Sequence, residues 1–439
     1  MQNLVAIVGR PNVGKSTLFN RIVGKQVSIV ENVPGVTRDR IYADAEWNGK
    51  DFVVVDTGGL DYEDNSQINK HIQTQAQIAI ELADAIIFVF DGKMGLSKQD
   101  YAAVDVLRKT NKPVYVCVNK IDNAADEQNA TEFYNLGFKN IYFVSSIHGT
   151  NVAELLDDVV ANFKPNAEEK SENAPLKIAL VGKPNVGKSS IINKLLGEDR
   201  LVVSNVAGTT RDSVDTTITY NKQKYIFIDT AGIRKKGQIE DKSIELYSVL
   251  RSFNAIRRAD VVVYVIDATE NVTDQDLKLM SFVDREGKPS VVLINKWDLI
   301  DKNAYTINSY TAKLKLEFDF LPYLKFLFVS AETGKRLPTV FSAIDEVYKN
   351  STTRITTGAL NDILHEAFRL VEPASVRGNR LKLMYATEAS VSPPTFVLFV
   401  NKAELAKPNY VRYLENFLRK SISLEGTPIR INFKSRKED

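Results

Sequence analysis

Only one of the 439 residues, Cys117, is a cysteine. No disulfide can form within one chain, and the apolar run Val114-Tyr115-Val116-Cys117-Val118 around it marks a buried, inert thiol. Long hydrophobic runs are also missing. Ala85–Phe90 and Val261–Ile266 are too short to cross a bilayer, so no membrane partner is expected. The first strand-like run begins at Leu4 and leaves no room for a signal peptide, so the expected location is the cytoplasm. Net charge is nearly absent at +2, but it is unevenly spread. Residues 352–439 carry 14 Lys/Arg against 9 Asp/Glu, or +5, which leaves 43 against 46, or −3, for residues 1–351. A basic tail on a near-neutral body suits a polyanionic partner, and equally a small domain with surplus surface lysines.

A hydrophobic content of 44% with 26% charged residues is that of a globular chain, and 439 residues suit two or three domains. Short apolar runs alternate with amphipathic stretches over residues 1–163. Leu4–Val8, Phe52–Val55, Ala85–Phe90, Val114–Val118 and Ile141–Val144 read as buried parallel strands. Lys15–Ile22, Asn69–Ala83, Lys98–Lys109, Asp126–Leu136 and Val152–Phe163 read as helices. This alternation predicts a doubly wound α/β domain that binds ligands at the carboxyl ends of its strands. Residues 164–175 are polar, contain two prolines and read as a linker. The pattern restarts over 176–350, with strands at Leu176–Val181, Tyr225–Ile228, Val261–Ile266, Ser290–Ile294 and Phe326–Val329. Residues 351–439 abandon it. Helix Ala359–Val371, strands Arg380–Ala386 and Thr395–Val400, helix Tyr410–Lys420 and strand Ile429–Phe433 give the order αββαβ. That order describes a small α+β module resembling KH-type RNA-binding domains. The Gly-x-x-Gly loop of that class is absent, since Gly358, Gly378 and Gly426 are isolated, which removes the basis for clamping RNA by that loop.

Within this frame one motif occurs twice. Gly9-Arg10-Pro11-Asn12-Val13-Gly14-Lys15-Ser16 recurs as Gly182-Lys183-Pro184-Asn185-Val186-Gly187-Lys188-Ser189, at an offset of 173 residues that also carries Thr37 onto Thr210 and Asp56 onto Asp229. Each copy closes a strand and opens a helix, the setting in which G-x-x-x-x-G-K-[ST] wraps backbone N–H groups around phosphate oxygens. Lys15 and Lys188 are placed to reach the β/γ-phosphates, and Ser16 and Ser189, followed by Thr17 and Ser190, to hold Mg²⁺. Asp56-Thr57-Gly58-Gly59 and Asp229-Thr230-Ala231-Gly232 end strands as D-x-x-G, with a carboxylate for the Mg²⁺ shell and a glycine N–H to sense the γ-phosphate. Thr37 and Thr210 lie in loops where a hydroxyl can close over Mg²⁺ while the γ-phosphate is present.

Base identity follows from Asn119-Lys120-Ile121-Asp122 and Asn295-Lys296-Trp297-Asp298, each after an apolar strand. A carboxylate there can accept both guanine N1–H and the exocyclic amine, whereas adenine would leave it unpaired. GTP is therefore the expected substrate, at two sites. Ser145-Ser146 and Ser330-Ala331 resemble the element that supports the base, with Ser146 departing from its usual alanine. Leu60 and Ile233 stand where a Ras-like enzyme carries a water-orienting glutamine, so catalysis rests on positioning by Mg²⁺, the P-loop lysine and a further charge. Asn119 maps to Asn295 at an offset of 176 and Ser145 to Ser330 at 185, so the second copy gained residues around Asp301–Tyr323.

These elements, in this order and twice, resemble the Der/EngA family of bacterial GTPases with two G domains. The likeness extends to Pro393-Pro394-Thr395-Phe396-Val397-Leu398-Phe399-Val400-Asn401 and Glu425-Gly426-Thr427-Pro428-Ile429-Arg430-Ile431, while Ala207 departs from a usual proline. The resemblance implies two P-loop G domains and a KH-like domain, GTP hydrolysis, and monomeric action in assembly of the large ribosomal subunit through its rRNA. Asn12 and Asn185 resemble the asparagine that helps bind K⁺ in a potassium-activated group of GTPases. Arg234-Lys235-Lys236 and Arg257-Arg258 are candidates for RNA contact or for a solvated charged face. Three readings remain open at this point: an enzyme driving an assembly cycle, an RNA-binding module whose hydrolysis only times release, and a GTPase partnering a tRNA-modifying enzyme.

Overall fold

A computed structural model describes residues 3–24, 42–56, 83–123, 126–127, 130–163, 174–196, 202–204, 215–229, 251–301, 306–375 and 378–435. They fall into two compact units, one ending with the first repeat and the other containing everything described from residue 174 onward.

The first unit runs β1 (Asn3–Gly9), α1 (Lys15–Val23), β2 (Tyr42–Trp47), β3 (Lys50–Asp56), β4 (Ala85–Asp91), α2 (Lys98–Leu107), β5 (Val114–Asn119), β6 (Ile141–Phe143) and α3 (Val152–Ala161). Its sheet has the order β2-β3-β1-β4-β5-β6, parallel except for the edge strand β2. Both faces are buried, which explains the unbroken apolar runs. Val5 and Ile7 enter a core with α1 and α3, while Ala6 and Val8 enter another with α2.

Two expectations need correction. Strand β2 has no continuous apolar run, because Asp44 and Glu46 interrupt YADAEW. Its signal is the turn Asn48-Gly49, with φ of 49° and 72°, which joins β2 to β3 as a tight hairpin. The helix expected over Asp126–Leu136 is helical at residues 126–127 and becomes a 3₁₀ segment over Thr131–Leu136, with 128–129 outside the described residues. Phe133 and Leu136 are its buried residues, and a spacing of three suits three residues per turn. The helix expected over 69–83 and the linker lie almost wholly outside the described residues.

The second unit repeats the plan: β7 (Leu176–Val181), α4 (Lys188–Leu196), β8 (Val202–Ser204), β9 (Thr216–Tyr220), β10 (Gln223–Ile228), β11 (Val261–Asp267), α5 (Asp274–Arg285), β12 (Ser290–Asn295), α6 (Thr306–Glu317), β13 (Lys325–Phe328) and α7 (Thr339–Thr352). Its sheet has the order β13-β12-β11-β7-β10-β9-β8, with the two short antiparallel strands β8 and β9 unforeseen for the same reason as β2. Helix α6 falls where the repeat offset grows. The nine added residues fall in the stretch that carries this 12-residue helix.

Next come α8 (Thr357–Leu370), β14 (Leu383–Val391), β15 (Pro394–Val400), α9 (Pro408–Ser421) and β16 (Arg430–Ser435), in the expected αββαβ order. Strand β15 pairs antiparallel with β14 and parallel with β16, and its Phe396, Leu398 and Val400 pack with Leu360, Leu364, Leu414 and Leu418 of the two helices. The module is tied to the second G domain. Ser290 N donates to Gly426 O at 2.7 Å, Gly426 N donates to Tyr323 O at 2.7 Å, and Arg419 lies 4.9 Å over the Tyr323 ring. Gly426 is fixed there by its φ of 72° and by Val347, which a Cβ would strike. Ser290 opens β12 and Asn295 closes it. The attachment is therefore about 17 Å along the strand from the nucleotide end, at 3.3 Å per residue.

Candidate guanine nucleotide sites

Each P-loop is shaped by two glycines with no room for a side chain. Gly9 and Gly182 (φ 156° and 146°) abut the carbonyls of Val89 and Val265. Gly14 and Gly187, at φ 96° and 98°, abut the amides of Asn119 and Asn295. Those two asparagines are the brace of the site, a role the motif reading did not assign. Asn119 Nδ2 donates to Val13 O at 2.8 Å, and its Oδ1 accepts from Ser146 N at 2.9 Å. Asn295 does the same between Val186 O at 2.9 Å and Ala331 N at 3.0 Å. Exposed by 2% and 1%, the two residues lock the phosphate loop to the base-supporting loop.

The loop lysines are pre-aimed. Lys15 Nζ donates to Gly9 O at 2.8 Å and Arg10 O at 2.7 Å, and Lys188 donates to Gly182 O at 2.6 Å and to Lys183 O. Both ammonium groups thus lie inside the curl of their own loop, where phosphate oxygens can replace the carbonyls. Arg10 and Lys183 contribute backbone only, because their side chains turn away to Asp100 at 2.9 Å and Asp276 at 3.3 Å. Asn12 and Asn185 sit at φ 66° and 65°, exposed, and neither side-chain amide has a hydrogen-bond partner among the described residues. Lys120 and Lys296 (φ 68° and 60°) are pinned by the buried Asp91 and Asp267. Lys120 also donates to Asn12 O at 2.7 Å.

The two copies part at the carboxylates. In the first, Ser16 Oγ donates to Asp56 Oδ2 at 2.8 Å, so two oxygens suited to Mg²⁺ already converge. Its base-side Asp122 accepts from Lys93 Nζ at 2.6 Å and Ser145 Oγ at 2.8 Å, and these bonds hold its carboxyl below the usual range. In the second copy Asp229, at φ 57°, pairs with Arg251 at 3.0 Å. There Asp298 Oδ1 is buried with no hydrogen-bond partner among the described residues. Thr37, Thr57, Gly58, Gly59, Leu60, Thr210, Thr230, Ala231, Gly232, Ile233 and Arg234-Lys235-Lys236 lie outside the described residues. Ser330 Oγ accepts from Thr333 N at 3.1 Å rather than bonding Asp298, and the buried Ser146 Oγ has no hydrogen-bond partner among the described residues.

Residues 4–120 and 177–296 match the family described as 50S ribosome-binding GTPase, and residues 354–434 match the KH-domain-like C-terminal region of EngA bacterial GTPases. The chain is 49% identical to GTPase Der of Clostridium acetobutylicum over 434 residues, covering 99% of each chain. It is 48% identical to GTPase Der of Acetivibrio thermocellus over 437 residues, again covering 99% of each. A solved structure of Aquifex aeolicus Era bound to GDP·AlF₄⁻ matches at a TM-score of 0.30 and 24% identity, over 59% of this chain and 92% of that one, too low a likeness to bear on the fold. Identity at this level along the whole length, joined to two braced P-loops with guanine-type carboxylates, establishes that the chain belongs to the Der/EngA family of GTPases and hydrolyses GTP.

Proposed function

We propose that the protein binds GTP at two sites and uses them to gate association with the large ribosomal subunit, or its precursor, during assembly. The division of labour follows the expected domains: residues 1–163 and 176–350 carry the two nucleotides, and 351–439 supplies contact with rRNA. One observation carries the reading. Each copy, independently, has a P-loop clamped by a buried asparagine to the loop that supports the base. A decayed second copy would have no reason to keep both hydrogen bonds.

Within each site, the backbone N–H groups and Lys15 or Lys188 hold the β/γ-phosphates, while Asp122 or Asp298 selects guanine. Ser16, Thr37 and Asp56, and their counterparts Ser189, Thr210 and Asp229, would hold Mg²⁺, which supplies charge to offset that building on the phosphates. Asn12 and Asn185, with unpartnered amides beside the phosphate loop, are the residues we assign to K⁺. Its charge would do the electrostatic work of an arginine finger. Equal GTPase rates in K⁺ and in Na⁺ would remove K⁺ from this scheme. Because Leu60 and Ile233 cannot orient water by hydrogen bonding, hydrolysis serves as a timer that ends the bound state. The protein acts as a cytoplasmic monomer.

Co-sedimentation with ribosomal subunits tests the proposal, comparing GDP with a non-hydrolysable GTP analogue. Pelleting with the large subunit in the analogue alone is the expected result. No pelleting in either state would detach the ribosome from an otherwise sound GTPase.

A further inference from the structure

With no Gly-x-x-Gly loop in the C-terminal module, another surface must meet RNA if the module contacts it at all. The register of its sheet presents one. Phe396, Leu398 and Val400 point into the core, so the alternate residues Thr395, Val397 and Phe399 lie on the opposite face. Across that face Phe399 pairs with Tyr385 on β14 and with Lys434 on β16. The Tyr385 and Phe399 rings are nearly parallel, with centroids 4.3 Å apart and planes at 11°. Tyr385 is 48% exposed, and Lys434 is exposed on the other side of Phe399. The other register positions on this face are Thr387, Ser390, Thr395, Val397, Arg430 and Asn432, so no carboxylate lies among them. Glu388, the strand's one acid, is buried on the core side and accepts from Ile355 N at 2.7 Å.

We propose that this face binds single-stranded RNA, with a base stacking near Tyr385 and Phe399 and an adjacent phosphate meeting Lys434. An aromatic pair alone would be ordinary cross-strand packing worth a few tenths of a kcal/mol to about 1 kcal/mol. Here a half-exposed ring stands in one row with a cation, on a face without negative charge, in a module of net charge +5. That combination fits a polyanion with flat bases, and it fits an acidic protein surface less well, since such a surface has no need of a stacking platform. At the far end of the face, Arg430 reaches Asp284 of the second G domain at 3.5 Å. A strand of RNA held here is thereby anchored to the domain that carries the second nucleotide. The inference rests on the rRNA reading above.

The test uses the full chain and a fluorescently labelled single-stranded oligouridine, with Tyr385→Ala, Tyr385→Phe and Lys434→Ala. Loss of one stacking contact should weaken binding about 5- to 100-fold in Tyr385→Ala, whereas Tyr385→Phe keeps wild-type affinity. Lys434→Ala should lower affinity and reduce the salt slope by about one counterion. Because Tyr385 is half exposed, the unfolding midpoint of each variant should stay near wild type, separating lost contact from lost fold. Unchanged oligouridine binding in Tyr385→Ala overturns the proposal. So does unchanged RNA binding with lost pelleting, which would assign the face to a protein. If the wild type fails to pellet with ribosomal subunits yet binds oligouridine through Tyr385, the ribosome reading falls and the platform stands.

Discussion

In the first G domain Ser16 and Asp56 are already joined while Lys93 closes on Asp122; in the second, Arg251 holds Asp229 while an oxygen of Asp298 is buried without a donor. The same motifs therefore rest on different partners: at the first site a lysine must leave the base-side carboxylate, and at the second an arginine must leave the metal-side one. Since the P-loops, their glycines and their asparagine braces match almost residue for residue, the difference is made by partners outside the motifs. Duplication kept the machinery and changed its neighbours.

The comparison can be broken hardest at the brace. Asn119→Ala and Asn295→Ala each strand a buried carbonyl and a buried N–H, at a cost of about 1–3 kcal/mol for each group left unpaired. Each variant should lose nucleotide binding at its own site and keep the other, measured by bound nucleotide per chain. Loss at both sites from either change would mean that the sites are not independent.

Lys93 and Arg251 sharpen it. Guanine must displace Lys93 from Asp122, so Lys93→Met should raise GDP affinity at the first site about two- to fivefold, the scale of an exposed ion pair. The same change should bring the Asp122 carboxyl back up toward its ordinary range, followed by NMR titration. The sign follows from the lowered value in the folded chain: the pair stabilises above the ordinary carboxylate pKa and is lost as pH falls through the lowered one. Arg251→Ala should remove that ion pair from Asp229 and increase the gain in second-site affinity on adding Mg²⁺, while leaving the first site unchanged.

The smallest effect concerns Ser146, whose buried hydroxyl has no partner where the second copy has Ala331. Ser146→Ala should be neutral or stabilise the first domain by up to about 1 kcal/mol, read from denaturant midpoints. A clear loss of stability would mean that the hydroxyl is satisfied after all.

Much of this was legible beforehand, for identifiable reasons. Continuous apolar runs such as Ala85–Phe90 are strands buried on both faces, and the P-loop pattern needs its strand and helix whatever surrounds it. Strands β2 and β8 carry no long apolar run because each is the edge strand of its sheet. Ser146 stood out as a departure, but its orphaned hydroxyl became evident only with its neighbours in place. Lys93 and Arg251 could not be found from the motifs. Each reaches its carboxylate from another segment, 29 residues away for Lys93, and only the fold brings them together.

The central claim is that both G domains are working guanine sites whose carboxylates are held by different partners, Lys93 on Asp122 and Arg251 on Asp229. Titrating GDP into Lys188→Ala, which isolates the first site, and into Lys15→Ala, which isolates the second, tests it most directly, with and without Mg²⁺. The account predicts one GDP per chain in each variant, tighter Mg²⁺-free binding at the second site, and a larger gain from Mg²⁺ at the first. Equal Mg²⁺-free affinities and equal gains, or a variant that binds no GDP, would contradict it.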